Sequence, residues 1–240
     1  MFTLCRIFSF FLSLFILPFA SFTKDTDMLE AWGRFGRADN VYSDANTDEK
    51  VIALTFDDGP HPLYTPKILD ILKKHNAKAT FFVIGRNAEI YEALTKRIYD
   101  EGHELGNHTY SHLTSKDGNS NSLNKELVKT GEIIKRITSS PPTLFRPPTG
   151  YCNNTTVRCA SKLNYKIIVW TIDTRDWAHN SVDNIVNTVL KQAKSGSIIL
   201  MHDYITKPSP TPEALEIILS RLTEKGYSFV TVSELIDYEN

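Results

Sequence analysis

The sequence has few of the features that mark specialised classes of protein. Its 240 residues include three cysteines, and its 27 basic residues nearly balance 28 acidic ones. Two of the cysteines, Cys152 and Cys159, follow the N-terminal segment. That is too few for a disulfide framework, and their spacing allows one bridge without requiring it. The balanced charge gives no electrostatic footprint for nucleic acid, and the lack of an internal repeat argues against solenoids and propellers.

Long apolar runs are also absent, except at the N-terminus. Ile7–Phe22 is apolar apart from its serines and Pro18, and it follows the basic Arg6. The run is short for a membrane-spanning helix of about 20 residues and is typical of a secretory signal peptide. Because Pro18 lies where a cleavage site prefers a small residue, an uncleaved N-terminal anchor is the alternative. Either interpretation predicts an exported protein, which is periplasmic, secreted or at the cell surface and meets a membrane only through such an anchor.

Three segments are predicted from this pattern. Residues 1–22 are the signal peptide or anchor, the polar residues 23–48 are a linker or strap, and residues 49–238 form one catalytic domain. In that domain short apolar runs such as Val51–Phe56 alternate with amphipathic ones such as Thr65–His75. The alternation predicts an α/β fold with parallel strands. About seven such units predict a complete or incomplete barrel, in which chemistry takes place at the carboxyl ends of the strands.

The first candidate site follows the first strand of this domain. Asp57 and Asp58 stand directly before Gly59-Pro60. One carboxylate can bind a metal while the other acts as a base toward water. Asp, Gly and Pro are also residues that favour turns, so an ordinary surface turn explains the same four residues.

A pair of histidines makes a metal site the stronger interpretation. His108 and His112 are four positions apart, just past a predicted strand. That spacing places both rings on one face of a helical turn, as in metal-binding helices. Two histidines and one carboxylate leave coordination positions open for a hydrolytic reaction, and Asp58 is the candidate for the third ligand.

Three further strands end in residues able to carry chemistry. Arg146 precedes two prolines and can make bidentate bonds to a carboxylate. Asp176 and Trp177 combine a charge with a ring that can form the wall of a sugar site or fill a barrel end. His202 directly follows an apolar strand, which in this fold class favours catalysis over a structural role.

Together these segments resemble the five motifs of the polysaccharide deacetylases with a NodB-homology domain, carbohydrate esterase family 4. The resemblance covers about Glu49–Leu235 and implies a distorted (β/α) barrel. The metal ligands it implies are Asp58, His108 and His112, with zinc as the usual metal and other divalent ions as alternatives. The catalytic residues it implies are Asp57 as base, His202 as acid, Asp176 as the partner of His202, and Arg146 as the residue that orients a catalytic carboxylate. The substrate-contacting residues are Thr149, Tyr151, Trp177 and Leu200.

One position departs from the family pattern. The family usually has Tyr where this chain has Thr149, and the backbone N–H there contributes to an oxyanion hole. A main-chain donor survives a change of side chain, so catalysis is expected to persist. The family's ring contact with substrate is missing at this position, and Tyr151, two positions later, is a partial substitute.

The resemblance implies a metal-dependent hydrolase that removes N-acetyl groups from amino sugars of a cell-wall polysaccharide. Peptidoglycan is the expected substrate. Asn107-His108-Thr109 is a glycosylation sequon, and a sugar attached there in a eukaryotic secretory pathway would block the metal site, which favours a bacterial cell wall. The alternatives are a chitin-oligosaccharide deacetylase and an O-acetyl esterase on the same scaffold. A non-catalytic carbohydrate-binding protein is disfavoured, because such a protein is expected to lack the base or a metal ligand.

Overall fold

The computed structural model describes residues 39–114, 118–205 and 208–239. The predicted signal peptide or anchor, residues 1–22, and the linker up to residue 38 lie outside the described residues. Within the described ranges, no helix combines the length and the apolar character needed to cross a membrane.

The described strands form a single sheet in which every pair of strands is parallel. Their bounds are β1 Val41–Tyr42, β2 Val51–Asp57, β3 Thr80–Val83, β4 Glu104–Asn107, β5 Leu144–Phe145, β6 Lys166–Ile168, β7 Ile172–Asp173, β8 Ile198–His202 and β9 Ser228–Val230. The order across the sheet is β1-β6-β5-β4-β3-β2-β8-β7, and β9 also pairs with β2. β2 is therefore central, and the residues that follow it are flanked by the ends of β3 and β8.

Helices connect most of the strands. Their bounds are α1 Thr65–Lys74, α2 Gly85–Ile90, α3 Glu92–Asp100, α4 Ser120–Thr138, α5 Asn154–Lys162, α6 Val182–Gln192, α7 Thr211–Glu224 and α8 Val232–Asp237. The local sequence explains where two of these helices begin. Pro66 lies in the first turn of α1, where the missing N–H costs nothing. The Asn119 side chain caps α4 by accepting from the amides of Asn121 and Ser122.

The central strand β2 separates two cores. All seven of its residues are buried, which is typical of a parallel strand covered on both faces. Ile52, Leu54 and Phe56 pack on the side of α1 and α7, whereas Val51 and Ala53 belong to the second core. Since side chains alternate along a strand, Asp57 shares its face with Val51 and Ala53. The strand thus delivers a carboxylate to the inner face of the curled sheet.

The predicted fold class, a single distorted (β/α) barrel, is confirmed in its incomplete form, because β1 and β7 end the strand order without pairing with each other in the described part of the chain. The β-branched and aromatic residues of Lys166–Ile172 predict one strand, but the segment is divided into β6 and β7. The division coincides with a tertiary contact: the Arg146 guanidinium donates hydrogen bonds to the carbonyl oxygens of Ile168 and Val169, at 3.2 and 3.1 Å. Those carbonyls are thereby directed to a side chain at the point where β6 ends.

Two other differences concern shorter elements. The sequence of Ala88–Asp100 predicts one helix, but the segment contains parts of two helices, α2 and α3, that meet at Tyr91. The end of the predicted strap contains β1, which pairs with β6 at the sheet edge. Cys152 and Cys159 are both buried free thiols, and burial raises the pKa of Cys152 to about 12.

Candidate active site

The site is built around the carboxylate that ends β2. Asp57 is 4% exposed, and its Oδ1 accepts a hydrogen bond from Nη1 of Arg146 at 2.8 Å. The same nitrogen donates to Oγ1 of Thr55 at 2.7 Å. Because Arg146 occupies Oδ1, the second oxygen of Asp57 faces the rest of the site, where it lies 3.8 Å from Nε2 of His108.

Arg146 is unusual in being a fully buried arginine. Burial lowers the pKa of its guanidinium, while the charge of Asp57 and the hydrogen bond to it act in the opposite direction. The guanidinium also lies over the ring of Phe82, with 4.1 Å between its central carbon and the ring centroid. These contacts fix its orientation, so Arg146 holds the Asp57 carboxylate in one position.

Asp58 lies in the turn that directly follows β2. Asp58 has a left-handed φ of 75°, and its carbonyl accepts from Nδ2 of Asn87 at 2.8 Å. The turn also requires glycine at position 59, because a Cβ there would lie 2.1 Å from Oδ2 of Asp203. The close approach of Gly59 to Asp203 thus restricts the backbone of the turn from which the Asp58 side chain projects.

Asp58, His108 and His112 converge on one point. Oδ1 of Asp58 lies 3.4 Å from Nε2 of His108 and 3.2 Å from Nε2 of His112, and one ligand atom from each residue lies within 4.8 Å of the others. The Asp58 oxygen is buried without a hydrogen-bond partner among the described residues. Two imidazole nitrogens and an unsatisfied carboxylate oxygen are the donor set of a zinc-type site, so these residues fit a divalent metal.

The protonation properties of these groups agree with a site for a cation. Burial alone would raise the pKa of Asp58, but the proximity of His108 lowers it to about 2. Burial likewise opposes the charged form of His108, yet the carboxylates of Asp57 and Asp58 raise its pKa above the ordinary value. Two carboxylates therefore attract positive charge to this point.

The local structure around the two histidines differs from the prediction. His108 and His112 do not lie on a helical turn, because residues 108–114 form a loop in which Thr109 and His112 have φ values of 63° and 64°. The helical expectation was wrong, since spacing alone does not distinguish a turn of helix from a folded loop. His108 is oriented by its Nδ1, which lies 2.7 Å from the Arg146 carbonyl. A carbonyl only accepts, so Nδ1 carries the proton and Nε2 is free to bind a metal.

His202 approaches from the neighbouring strand β8, directly opposite Asp57 in the register. Its Nδ1 lies 2.7 Å from Oδ1 of Asp176, and its amide donates to Oδ2 of that carboxylate at 2.8 Å. Thr211 Oγ1 donates to Oδ2 at 2.6 Å. Burial works against the charged ring, but Asp176 raises the pKa of His202 to about 9. The ring is therefore protonated at neutral pH, and Nδ1 is held by the carboxylate.

The predicted substrate-contacting residues lie on three elements at this end of the sheet. Thr149 is exposed in a tight turn three residues after Arg146, with a φ of 61°, and Tyr151 follows it. Trp177 adjoins Asp176 and is 48% exposed, whereas Leu200 is buried within β8. Leu200 thus belongs to the wall of the interior, while Thr149 and Trp177 face solvent.

Sequence reasoning missed the residues that support this site. Asp203 is buried and accepts from Oγ1 of Thr65 at 2.5 Å, and burial raises the pKa of Asp203 to about 7. Glu126, in α4, accepts three hydrogen bonds from the loop between His108 and His112. The only signal for Asp203 was its position directly after His202, and nothing distinguished Glu126 from other glutamates of an amphipathic helix.

The chain is similar to known proteins of one family. The family model described as polysaccharide deacetylase matches residues 44–168. A peptidoglycan-N-acetylglucosamine deacetylase of Bacillus cereus is 44% identical over 195 residues, which cover 80% of this chain and 91% of the relative.

The fold is also similar to the folds of solved structures. A crystal structure of a peptidoglycan N-acetylglucosamine deacetylase matches with a TM-score of 0.80 and 39% identity, covering 84% of this chain and 95% of the other. A carbohydrate esterase family 4 pseudoenzyme from Bacillus anthracis matches with a TM-score of 0.77 and 33% identity, covering 83% of this chain and 70% of the other. The fold is therefore shared by an enzyme and a pseudoenzyme, and the residues of the site must distinguish between them.

Proposed function

Because the chain belongs to the polysaccharide deacetylase family, we propose that it is a metal-dependent hydrolase that removes N-acetyl groups from the amino sugars of peptidoglycan. The observation that carries the proposal is the position of Oδ1 of Asp58. It is buried without a hydrogen-bond partner among the described residues and lies 3.4 and 3.2 Å from the Nε2 atoms of His108 and His112. Asp57 and His202 stand at the adjacent strand ends. This arrangement combines a cation site with a base and an acid.

The metal ligands we propose are Asp58, His108 and His112, with zinc as the first choice. A divalent cation held there supplies Lewis-acid chemistry, since it lowers the pKa of water and polarises a carbonyl oxygen. His108 contributes through Nε2, because its Nδ1 is committed to the Arg146 carbonyl. The three residues leave part of the coordination sphere open, as a hydrolytic site requires.

Asp57 is the proposed general base. One carboxylate oxygen is fixed by Arg146 and the other faces the metal ligands. In that position it can accept the proton of a water molecule that attacks the acetyl carbonyl. Arg146 contributes by holding the carboxylate in place and by compensating its buried charge.

His202 is the proposed general acid. Asp176 keeps the ring protonated and holds Nδ1, so Nε2 is the nitrogen that can donate a proton to the departing sugar amine. Acetate and the free amine are then the products. In this scheme water is the only nucleophile, and no covalent enzyme intermediate is formed.

The substrate-facing residues complete the proposal. The Thr149 backbone N–H is assigned to the oxyanion of the tetrahedral intermediate, for which each such donor contributes about 3–4 kcal/mol in other enzymes. Leu200 is assigned to the pocket for the acetyl methyl group, and Trp177 and Tyr151 to the surface against the sugar. The Trp177 side chain is half exposed, which suits a ring that becomes covered by substrate.

Peptidoglycan is favoured as the substrate by the names of the relatives, and N-acetylglucosamine is favoured as its target sugar by the 44% identical protein. The same comparison supports action at the cell wall, and hence export through the N-terminal segment. A non-catalytic role is the competing interpretation, because one structural neighbour is a pseudoenzyme. This chain has the proposed base, acid and metal ligands together, which favours activity.

A substrate panel tests the proposal. Purified peptidoglycan, chitin oligomers and acetylated xylan are incubated with the zinc-loaded protein, and both acetate and new primary amines are measured. We expect acetate and amine in equal amounts from peptidoglycan, with glucosamine as the deacetylated sugar. Acetate without amine, released from xylan, would indicate an O-acetyl esterase. No acetate from any of the three would contradict the proposed activity.

A further inference from the structure

The loop that carries both candidate histidine ligands has a backbone that requires outside support. Thr109 and His112 adopt left-handed φ values of 63° and 64°, which non-glycine residues seldom adopt and which are a particular outlier for a β-branched residue such as Thr109. Such conformations persist only when surrounding contacts impose them. The loop must therefore be held by residues elsewhere in the fold.

Glu126 supplies one of these contacts from the second turn of α4. Its Oε2 accepts from the amide of Tyr110 at 2.8 Å and from the amide of Ser111 at 2.7 Å. Its Oε1 accepts from the hydroxyl of Ser111 at 3.0 Å. Hydrogen bonds to an ionised carboxylate are stronger than those between neutral groups. A single side chain thus binds two successive amides immediately before His112.

The start of the loop has separate anchors. The amide of Thr109 donates to Oδ1 of Asn107 at 2.9 Å, and Nδ2 of Asn107 donates to the Leu127 carbonyl at 2.9 Å. His108 is itself buried, and its Nδ1 contacts the Arg146 carbonyl. The position of His108 is therefore fixed without Glu126.

His112 depends more strongly on the loop backbone. Its side chain is 36% exposed, against 2% for that of His108, so packing restrains it less. The residue directly before it, Ser111, is bound to Glu126 through both its amide and its hydroxyl. Glu126 is therefore linked to His112 through one intervening residue, Ser111.

We propose that Glu126 is a positioning residue for His112. By binding the Tyr110 and Ser111 amides it holds the loop in the conformation that brings Nε2 of His112 to Asp58. This inference rests on the metal site put forward above, and it goes further by assigning part of the metal affinity to a side chain that does not touch the metal.

The test compares the zinc affinities of four purified full-length proteins, measured by competition with a chromogenic chelator in the absence of substrate. They are the wild type, Glu126→Ala, Glu126→Gln and Glu132→Ala, the last being an exposed glutamate of the same helix. Loss of a residue that orients a metal ligand typically costs about 10–100-fold in metal affinity, and Glu126 would act in this way through the backbone before His112. We expect a loss of that size for Glu126→Ala and wild-type affinity for Glu132→Ala.

Glu126→Gln separates geometry from charge. The amide oxygen can accept from both backbone N–H groups, and the NH₂ group can donate to the Ser111 hydroxyl. We therefore expect this variant to retain most of the affinity that Glu126→Ala loses. An equal loss in both variants would overturn a positioning role.

A double variant shows whether Glu126 acts through His112. In a His112→Ala background, Glu126→Ala should weaken zinc binding only slightly further, because the ligand it positions is already gone. A full additional 10–100-fold loss would show that Glu126 acts elsewhere, and unchanged affinity in the single Glu126→Ala variant would also overturn the proposal. The zinc assay uses no substrate and is therefore independent of the acetate assay. A wild type that binds zinc but releases no acetate from the substrate panel contradicts only the proposed activity. A wild type that binds no zinc contradicts the metal site itself.

Discussion

Asp176 binds His202 twice, through the ring nitrogen Nδ1 at 2.7 Å and through the backbone amide at 2.8 Å. The carboxylate is fully buried, so its charge acts on the ring with little screening by water. This relationship raises the pKa of His202 to about 9 against the opposing effect of burial. It therefore determines over which pH range the proposed acid carries its proton.

Replacing Asp176 by asparagine should shift the pH dependence of catalysis. Without the carboxylate, the pKa of His202 falls toward its ordinary value of about 6.5. At pH 8 the protonated fraction then decreases roughly 30-fold, and kcat should fall with it. Measured across pH 5–9, the alkaline limb of kcat should move to lower pH in Asp176→Asn, with a much smaller loss near pH 5. A uniform loss at every pH would contradict this account.

The same pair makes a pH-dependent contribution to stability. A histidine whose folded pKa lies above its unfolded value stabilises the native state fully below the unfolded pKa of about 6.5. That contribution is lost as the pH rises through the folded value of about 9. The difference in unfolding free energy between wild type and Asp176→Asn should therefore decrease between these two pH values, as measured by urea denaturation.

Asp57→Asn should separate catalysis from metal binding. The variant keeps the shape of the side chain but cannot accept a proton, and loss of a general base typically costs about 10²–10⁴-fold in rate. Zinc affinity should remain within a few-fold of the wild type, because Asp57 is not among the proposed ligands. The variant should also lose about 3–5 kcal/mol of stability, because Arg146 keeps its buried charge without a counter-charge, so both measurements are made at a temperature where the variant is folded. Measurement of kcat on peptidoglycan and of zinc content in the same preparation checks both statements. Retained kcat in the zinc-loaded variant would remove Asp57 from its assigned role.

Arg146→Met should be strongly destabilising. Arg146 and Asp57 are both buried, at 0% and 5% exposure of their side chains, and removal of one partner of such a pair leaves an uncompensated buried charge. The expected cost is about 3–5 kcal/mol in unfolding free energy, measured by urea denaturation at pH 7.

Arg136→Met is the matched control for that experiment. Arg136 pairs with Glu92 at 2.9 Å, but both side chains are about half exposed. An exposed pair of this kind contributes about 0–1 kcal/mol. Similar losses in the two variants would show that the buried position of Arg146 has no special importance.

Gly59→Ala tests the close approach between Gly59 and the carboxyl group of Asp203. The added Cβ would lie 2.1–2.3 Å from three atoms of the Asp203 carboxyl group, so the turn must move. Overpacking of this kind typically costs about 1–3 kcal/mol, and zinc affinity should fall because Asp58 moves with the turn. The loss should be smaller in an Asp203→Ala background, where all three obstructing atoms are removed. Equal losses in both backgrounds would mean that Asp203 is not the obstructing group.

Much of this arrangement could be predicted from the sequence because the residues have local signals. Asp57 and His202 each end an apolar strand, and parallel strands bring their carboxyl ends to one edge. The structure brings the predicted metal ligands and Asp57 together, and places His202 on the strand beside Asp57. Their roles in catalysis remain predictions that the variants above address.

The supporting contacts could not be predicted because they join distant positions without a pattern. Thr65 and Asp203 are 138 positions apart, and Glu126 contacts Ser111 across 15. The break between β6 and β7 coincides with the contacts of Arg146, whose carbonyl partners have no sequence signature. The histidine loop was mistaken for a helical turn because a spacing of four is compatible with both. Tertiary contacts decide each of these cases.

The most direct test of the central claim is acetate release from purified peptidoglycan by protein stripped of metal with a chelator and then reloaded with zinc. Wild-type protein should lose its activity on stripping and regain it with zinc, whereas Asp57→Asn should regain zinc but not activity. Undiminished acetate release from the stripped wild type, or from zinc-loaded Asp57→Asn, would contradict a metal-dependent deacetylase that uses Asp57 as its base.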